Sequence, residues 1–135
     1  MTAQDPFDDR KARASAWFTE LRDSICAAFE GLEDAQDWGP FADLPPGRFE
    51  RKETRRASPG EDDAGGGVMS VMRDGRVFEK VGVNISTVYG QLGEQAQRSL
   101  TARKGIPGLE QDPRFWARAS AWSRICAAPR PPPCT

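Results

Sequence analysis

The sequence predicts a mixed fold of the α+β kind, in which helix and antiparallel strands come in separate runs. Two patterns carry that expectation. Near the N-terminus apolar residues recur at three- and four-residue steps, the period of an amphipathic helix, and in the middle two β-rich runs meet at an Asp-Gly turn. A chain of 135 residues, 38% hydrophobic and 29% charged, suits one modest core, so a single domain is expected.

The helix is expected over residues 9–32, where Ala14, Trp17, Phe18, Leu21, Ile25, Ala28, Phe29 and Leu32 mark the apolar stripe and Gly31 is a plausible stop. Trp17, Leu21, Ile25 and Phe29 are its expected contacts with the hairpin. Next comes "EDAQDWGPFADLPPGR", an irregular connector by its Pro, Gly and Asp content, with Trp38 and Phe41 as aromatic anchors. "RFERKETRR" has the look of a positively charged edge strand, and "ASPGEDDAGGG" that of a flexible or close-packed loop. In "VMSVMRDGRVFEKVGVNISTVYG", Asp74 and Gly75 make a two-residue hairpin turn. Val81, Val83, Ile85 and Thr87 then alternate with Gly82, Asn84 and Ser86, so that one face packs and the other presents polar groups. "LGEQAQRSLTARKG" is a candidate short helix, and "IPGLEQDPRFWA" a turn leading to Phe115 and Trp116.

Nineteen basic and twenty acidic residues leave a net charge of −1, which argues against a global bias toward nucleic acid or membrane; an anion site has to be local. No apolar run approaches the roughly 20 residues needed to span a bilayer, and the N-terminal stretch has no apolar signal core, so a cytoplasmic location is expected. The three cysteines follow no disulfide or metal spacing, which predicts reduced thiols and no metal site. Histidine is absent, and with it the commonest acid/base near neutral pH.

Residue chemistry alone names no catalytic set. Gly65, Gly66 and Gly67 lack the Lys and Ser/Thr of a phosphate-binding loop. Asp62 and Asp63 lie in a Gly-rich loop where acids are usually solvated, Cys26 has no activating partner, and the run Arg51, Lys52, Arg55, Arg56 has few aromatics interleaved, against nucleic-acid binding.

The string "AGGGVMSVMRDGRVFEKVGVNISTVYGQL" resembles the N-terminal part of the oxygen-dependent coproporphyrinogen III oxidases: a Gly-rich run, a strand, a "DG" turn, then "VFEKxGVNxSxVxG", with "FWA" at Phe115, Trp116 and Ala117 in the expected order. The resemblance covers residues 17–117. It implies a large antiparallel sheet flanked by helices, in a homodimer that converts two propionates of coproporphyrinogen III to vinyls in heme synthesis. Dioxygen would be the co-substrate, with no organic cofactor; a metal requirement is left open. Local arginines would suit a tetracarboxylate, because guanidinium pairs bidentately with carboxylate. The candidate substrate-binding residues are Gly82, Asn84, Ser86 and Arg51, with Arg73 as a further possibility. Two departures stand out: Tyr89 occupies a position where relatives often carry His, and "FWA" is followed by "RASAWSRICAAPRPPPCT" rather than the family's "GISLVxHM".

Codons explain the second departure. Read from the last base of Arg118, the triplets that encode residues 118–126 permit Gly, Ile, Ser, Leu, Val, Ala, His and Met in order, which is "GISLVAHM". The expectation is therefore an oxidase N-terminal portion over residues 1–117 and an out-of-frame, disordered tail over 118–135, without catalytic residues or activity of its own. The alternatives are a non-catalytic fragment that binds a tetrapyrrole or a partner chain, and a small nucleic-acid module around "RKETRR".

Overall fold

The β-rich runs become neighbouring strands of one meander, and the long helix lies across one of its faces. The computed structural model describes residues 6–57 and 64–127. The elements are α1 (Pro6–Ala35), β1 (Glu50–Arg55), β2 (Gly65–Arg73), β3 (Phe78–Gln91), α2 (Glu94–Lys104) and β4 (Arg114–Cys126). The four strands pair antiparallel in the order β1-β2-β3-β4, which is the α+β class expected.

Alternation along β3 divides the sheet as read from the sequence. Val81, Val83 and Ile85 are buried beneath α1, while Asn84 and Ser86 are exposed on the far face. Cys26 and Phe29 of α1 join Met72, Phe78, Val81 and Val83 in the core, with Ile25, Phe49 and Val77 packed against them. Phe29 anchors this cluster, meeting Phe78 edge-on at 5.0 Å between ring centroids and Phe49 at 6.4 Å.

The helix turns a different side to the sheet than its apolar stripe predicts. Arg22, Cys26, Phe29 and Glu33, spaced by four, three and four residues, are the buried line. Leu21 and Ile25 are only half-buried, whereas Trp17 is 56% exposed and Leu32 54% exposed. At 3.6 residues per turn, the line of Trp17, Leu21, Ala28 and Leu32 lies roughly a third of a turn away from the buried one. Trp17 therefore does not pack on the hairpin. Gly31 does not stop the helix either, because the chain continues to Ala35 and carries Glu33 into the core.

Glu33 decides this orientation. Its side chain is fully buried, with Oε2 accepting the backbone N–H of Gly47 at 3.0 Å and of Arg76 at 2.5 Å, and Oε1 accepting those of Val77 and Phe78, both at 2.9 Å. Desolvation pushes its carboxyl pKa up, but the four N–H donors outweigh that and hold it below the usual range. Gly75 stands where any Cβ would collide with this carboxylate. The helix end, the connector and the hairpin tip are thus tied by one side chain.

Three other expectations change. The hairpin is not a two-residue turn: Asp74 N–H donates to Glu79 and Gly75 N–H to Phe78, leaving a four-residue connection in which Asp74 has φ 54° and Glu33 holds the tip. The three glycines belong to β2 rather than to a loop. Trp38 is 74% exposed and anchors nothing, while Phe41 is half-buried.

Residues 118–126, expected to be a disordered tail, instead form the outer part of β4, paired with β3 from Arg118 opposite Thr87 to Cys126 opposite Phe78. The physical reason is that a fourteen-residue β3 offers a full row of backbone donors and acceptors, and the segment contains neither Gly nor Pro to interrupt pairing. The acids Asp62 and Asp63, and residues 128–135 including Cys134, lie outside the described residues. Cys26 and Cys126 are free thiols.

Candidate functional site

The register places the candidate substrate residues on two faces. Gly82, Asn84 and Ser86 share the open face, opposite Val71, Met69 and Gly67 of β2 and Ser123, Ala121 and Ala119 of β4. Arg73, exposed at the end of β2, shares it. Arg51 does not: it pairs with Ser70, which faces Val83 on the helix side, and its guanidinium donates to Asp23 of α1 at 2.9 Å. Arg51 therefore braces the helix to the sheet edge. On the open face β3 and β4 carry small or short polar side chains, with Met69, Val71 and Arg73 of β2 beside them.

The helix side holds a cavity that sequence reading missed. About 580 Å³ lies between α1 and the sheet, with Arg22 and Thr19 from the helix, Arg55, Gly66 and Thr87 from β1 to β3, and Arg118 from β4 among its lining residues. Arg55, Gly66, Thr87 and Arg118 form one rung across all four strands. Arg22 is buried yet charged, its guanidinium held 2.9 Å from Asp23. Arg118 donates to the Thr87 hydroxyl at 2.7 Å. Burial, and then the like charge of Arg22, pull the Arg118 pKa below its ordinary value.

Gly66 keeps the floor of the cavity free of side chain, and a Cβ there would collide with the Thr54 carbonyl. A second cavity of about 840 Å³ adjoins through Tyr89 and adds Phe7, Phe115 and Trp116 to its walls. Forked guanidinium donors beside an aromatic wall are chemistry for carboxylates on an apolar body. The signal available in the sequence was weak: Arg22 and Arg118 are 96 positions apart, and only the strand register joins Arg118 to Arg55.

Buried thiol chemistry is not favoured at Cys26. Desolvation raises its pKa, and the nearby Arg51, Ser70 and Arg22 offset this only in part. Among the described residues no helix is long and apolar enough to cross a membrane.

Comparison with known proteins gives the family context. The profile of the coproporphyrinogen III oxidase family matches residues 13–131. An oxygen-dependent coproporphyrinogen-III oxidase from Rickettsia bellii (strain RML369-C) is 48% identical over 103 residues, 76% of this chain and 32% of that protein. One from Rickettsia peacockii (strain Rustic) is 42% identical over 109 residues, 81% of this chain and 34% of that protein. The chain spans about a third of the length of the curated relatives it matches.

Proposed function

The chain belongs to the coproporphyrinogen III oxidase family, and from that premise we propose that it supplies the N-terminal part of an enzyme that oxidatively decarboxylates coproporphyrinogen III to protoporphyrinogen IX. Dioxygen is the co-substrate, the intact enzyme is a cytoplasmic homodimer of heme biosynthesis, and this stretch contributes a wall of the substrate site. The observation that carries the reading is the family match over residues 13–131, which includes the "VFEKVGVNISTVYG" string that builds β3.

By itself the 135-residue chain does not turn over. Releasing carbon dioxide from a propionate requires the side chain to be held in register while protons move, and a placed acid or base contributes about 10²–10⁴-fold to such a step. The chain has no histidine, and the candidate residues Gly82, Asn84 and Ser86 themselves offer only amide and hydroxyl groups. The shifted-frame reading of residues 118–126 supports the same conclusion, since it places a His and a Met in the alternative frame.

The test compares two proteins under air: this chain, and the product of a gene with one base restored at the Arg118 codon. Protoporphyrinogen formation is followed by fluorescence after oxidation. The restored protein is expected to form product and to stop when dioxygen is removed, while this chain stays silent. Turnover by the 135-residue chain refutes its inactivity, and silence from a soluble restored protein refutes the oxidase reading.

A further inference from the structure

The sheet ends on one side in β4, a strand of thirteen residues with no Gly or Pro, three arginines and no acid. The opposite edge, β1, has six residues, all exposed, with Glu50 and Glu53 set among Arg51, Lys52 and Arg55. Short strands and mixed surface charge discourage edge pairing, and a long uninterrupted strand invites it. Just outside β4, the Pro113 carbonyl accepts from the Leu92 N–H and the Ala127 N–H donates to the Val77 carbonyl, both on the β3 side. Backbone groups alternate sides along a strand, so the odd-numbered residues of β4 bond to β3 and the even-numbered ones face outward. From Trp116 to Arg124 those outward groups meet no strand among the described residues.

We infer that this edge joins a second copy of the chain, β4 to β4 antiparallel, about a two-fold axis at Ser120. That register pairs all thirteen residues of the strand. It sets Arg118 opposite Trp122 and Arg124 opposite Trp116 of the second copy, so cations meet aromatic rings and no arginine faces another. A slide of two residues either way, the smallest that keeps the hydrogen-bond pattern, sets Arg124 opposite Arg118 or Arg114. Pairing β4 with β1 instead would bring two edges of net positive charge together. Ser120 lies on the axis; its hydroxyl is buried without a hydrogen-bond partner in the single chain, and pairing brings an identical hydroxyl beside it. The contact is isologous and closes on itself, joining two four-stranded sheets with a charged β1 at each end. Arg118, Trp122 and Arg124 lie where the sequence departs from the family's "GISLVxHM", so the contact goes beyond the oxidase reading and does not follow from it.

Sedimentation equilibrium of the 135-residue chain tests it: a reversible passage from one to two chain masses is expected with rising concentration, and nothing larger. Ala119 and Ala121 are exposed, and the register sets each opposite the other across the axis. Ala119→Lys combined with Ala121→Lys puts like charges opposite each other twice and is expected to weaken the dimer about ten-fold. Ala119→Glu combined with Ala121→Lys makes the same two pairs opposite in charge and is expected to keep the dimer or tighten it. Both pairs of substitutions lie on the surface, so the fold is kept. Ser120→Pro removes an outward N–H, spares the bonds to β3, and is expected to weaken the dimer about ten-fold or more. A chain that stays monomeric at every concentration, a mass that grows past the dimer, or a dimer unchanged in the Lys–Lys and Ser120→Pro variants would each overturn the β4 contact. Equal weakening by the Lys–Lys and Glu–Lys variants would overturn the register. The oxidase reading is tested by turnover of the restored protein, so either can fail without the other.

Discussion

Replacing Glu33 by Gln is expected to cost this protein a large part of its stability, although the two side chains have nearly the same shape. The carboxylate uses both oxygens as acceptors, two backbone N–H groups on each: Gly47 and Arg76 on Oε2, Val77 and Phe78 on Oε1. A glutamine keeps one oxygen and turns an NH₂ toward the other pair, so two buried donors lose their acceptor and face another donor. At about 1–3 kcal/mol for each orphaned group the loss is about 2–6 kcal/mol, against a typical domain stability of about 5–15 kcal/mol.

Urea unfolding followed by circular dichroism measures the difference, and pH supplies an internal control. The folded-state pKa of Glu33 is depressed, so its contribution is fully present above the ordinary glutamate value of 4.5 and is lost as pH falls through the lower folded value. The gap between wild type and Glu33→Gln should be widest at neutral pH and shrink below 4.5. A variant within about 1 kcal/mol of wild type at neutral pH would refute the argument that this carboxylate ties helix to hairpin, given that surface substitutions away from such features cost within about 0.5 kcal/mol. A gap that did not change with pH would refute its ionised role.

Phe29→Ala should destabilise by about 3–5 kcal/mol, as core phenylalanine truncations do, whereas Trp17→Ser should change stability by no more than about 0.5 kcal/mol; a reversed order in chemical denaturation would restore the stripe read from the sequence. Gly67→Ala places a Cβ against the Ile85 carbonyl and should cost about 1–3 kcal/mol, and an unchanged melting temperature would show that β2 and β3 do not approach as described. Asp112 should titrate at about 2, because the Arg114 guanidinium and then its backbone N–H donate to the carboxylate. Arg114→Met should bring it back toward 3.8, and carboxyl-carbon NMR reads both values.

Strand alternation was fully legible because it depends on nearest neighbours: Val81, Val83 and Ile85 against Gly82, Asn84 and Ser86 needed no tertiary information. The long string through β3 was equally legible, and it is what carries the family. The helix was found, but not the face it uses, since a stripe that includes Trp17 and Leu32 competes with a line defined by Glu33 and Phe29. A buried glutamate has no sequence signature when its four partners are backbone N–H groups 14 to 45 residues away.

The same division runs through the site. Arginine content, near-neutral charge and the absence of histidine could be counted in the sequence, and from them came the expectation that an anion site had to be local. Which arginines share a cavity was decided by register, which sets Arg55, Thr87 and Arg118 on one rung, and by the roll of α1, which brings Arg22 over it. Register also separated Arg51 from Asn84 and Ser86. Periodicity is a property of successive residues and survives in one dimension; convergence of charges from distant segments requires the backbone pairing that only the folded sheet supplies.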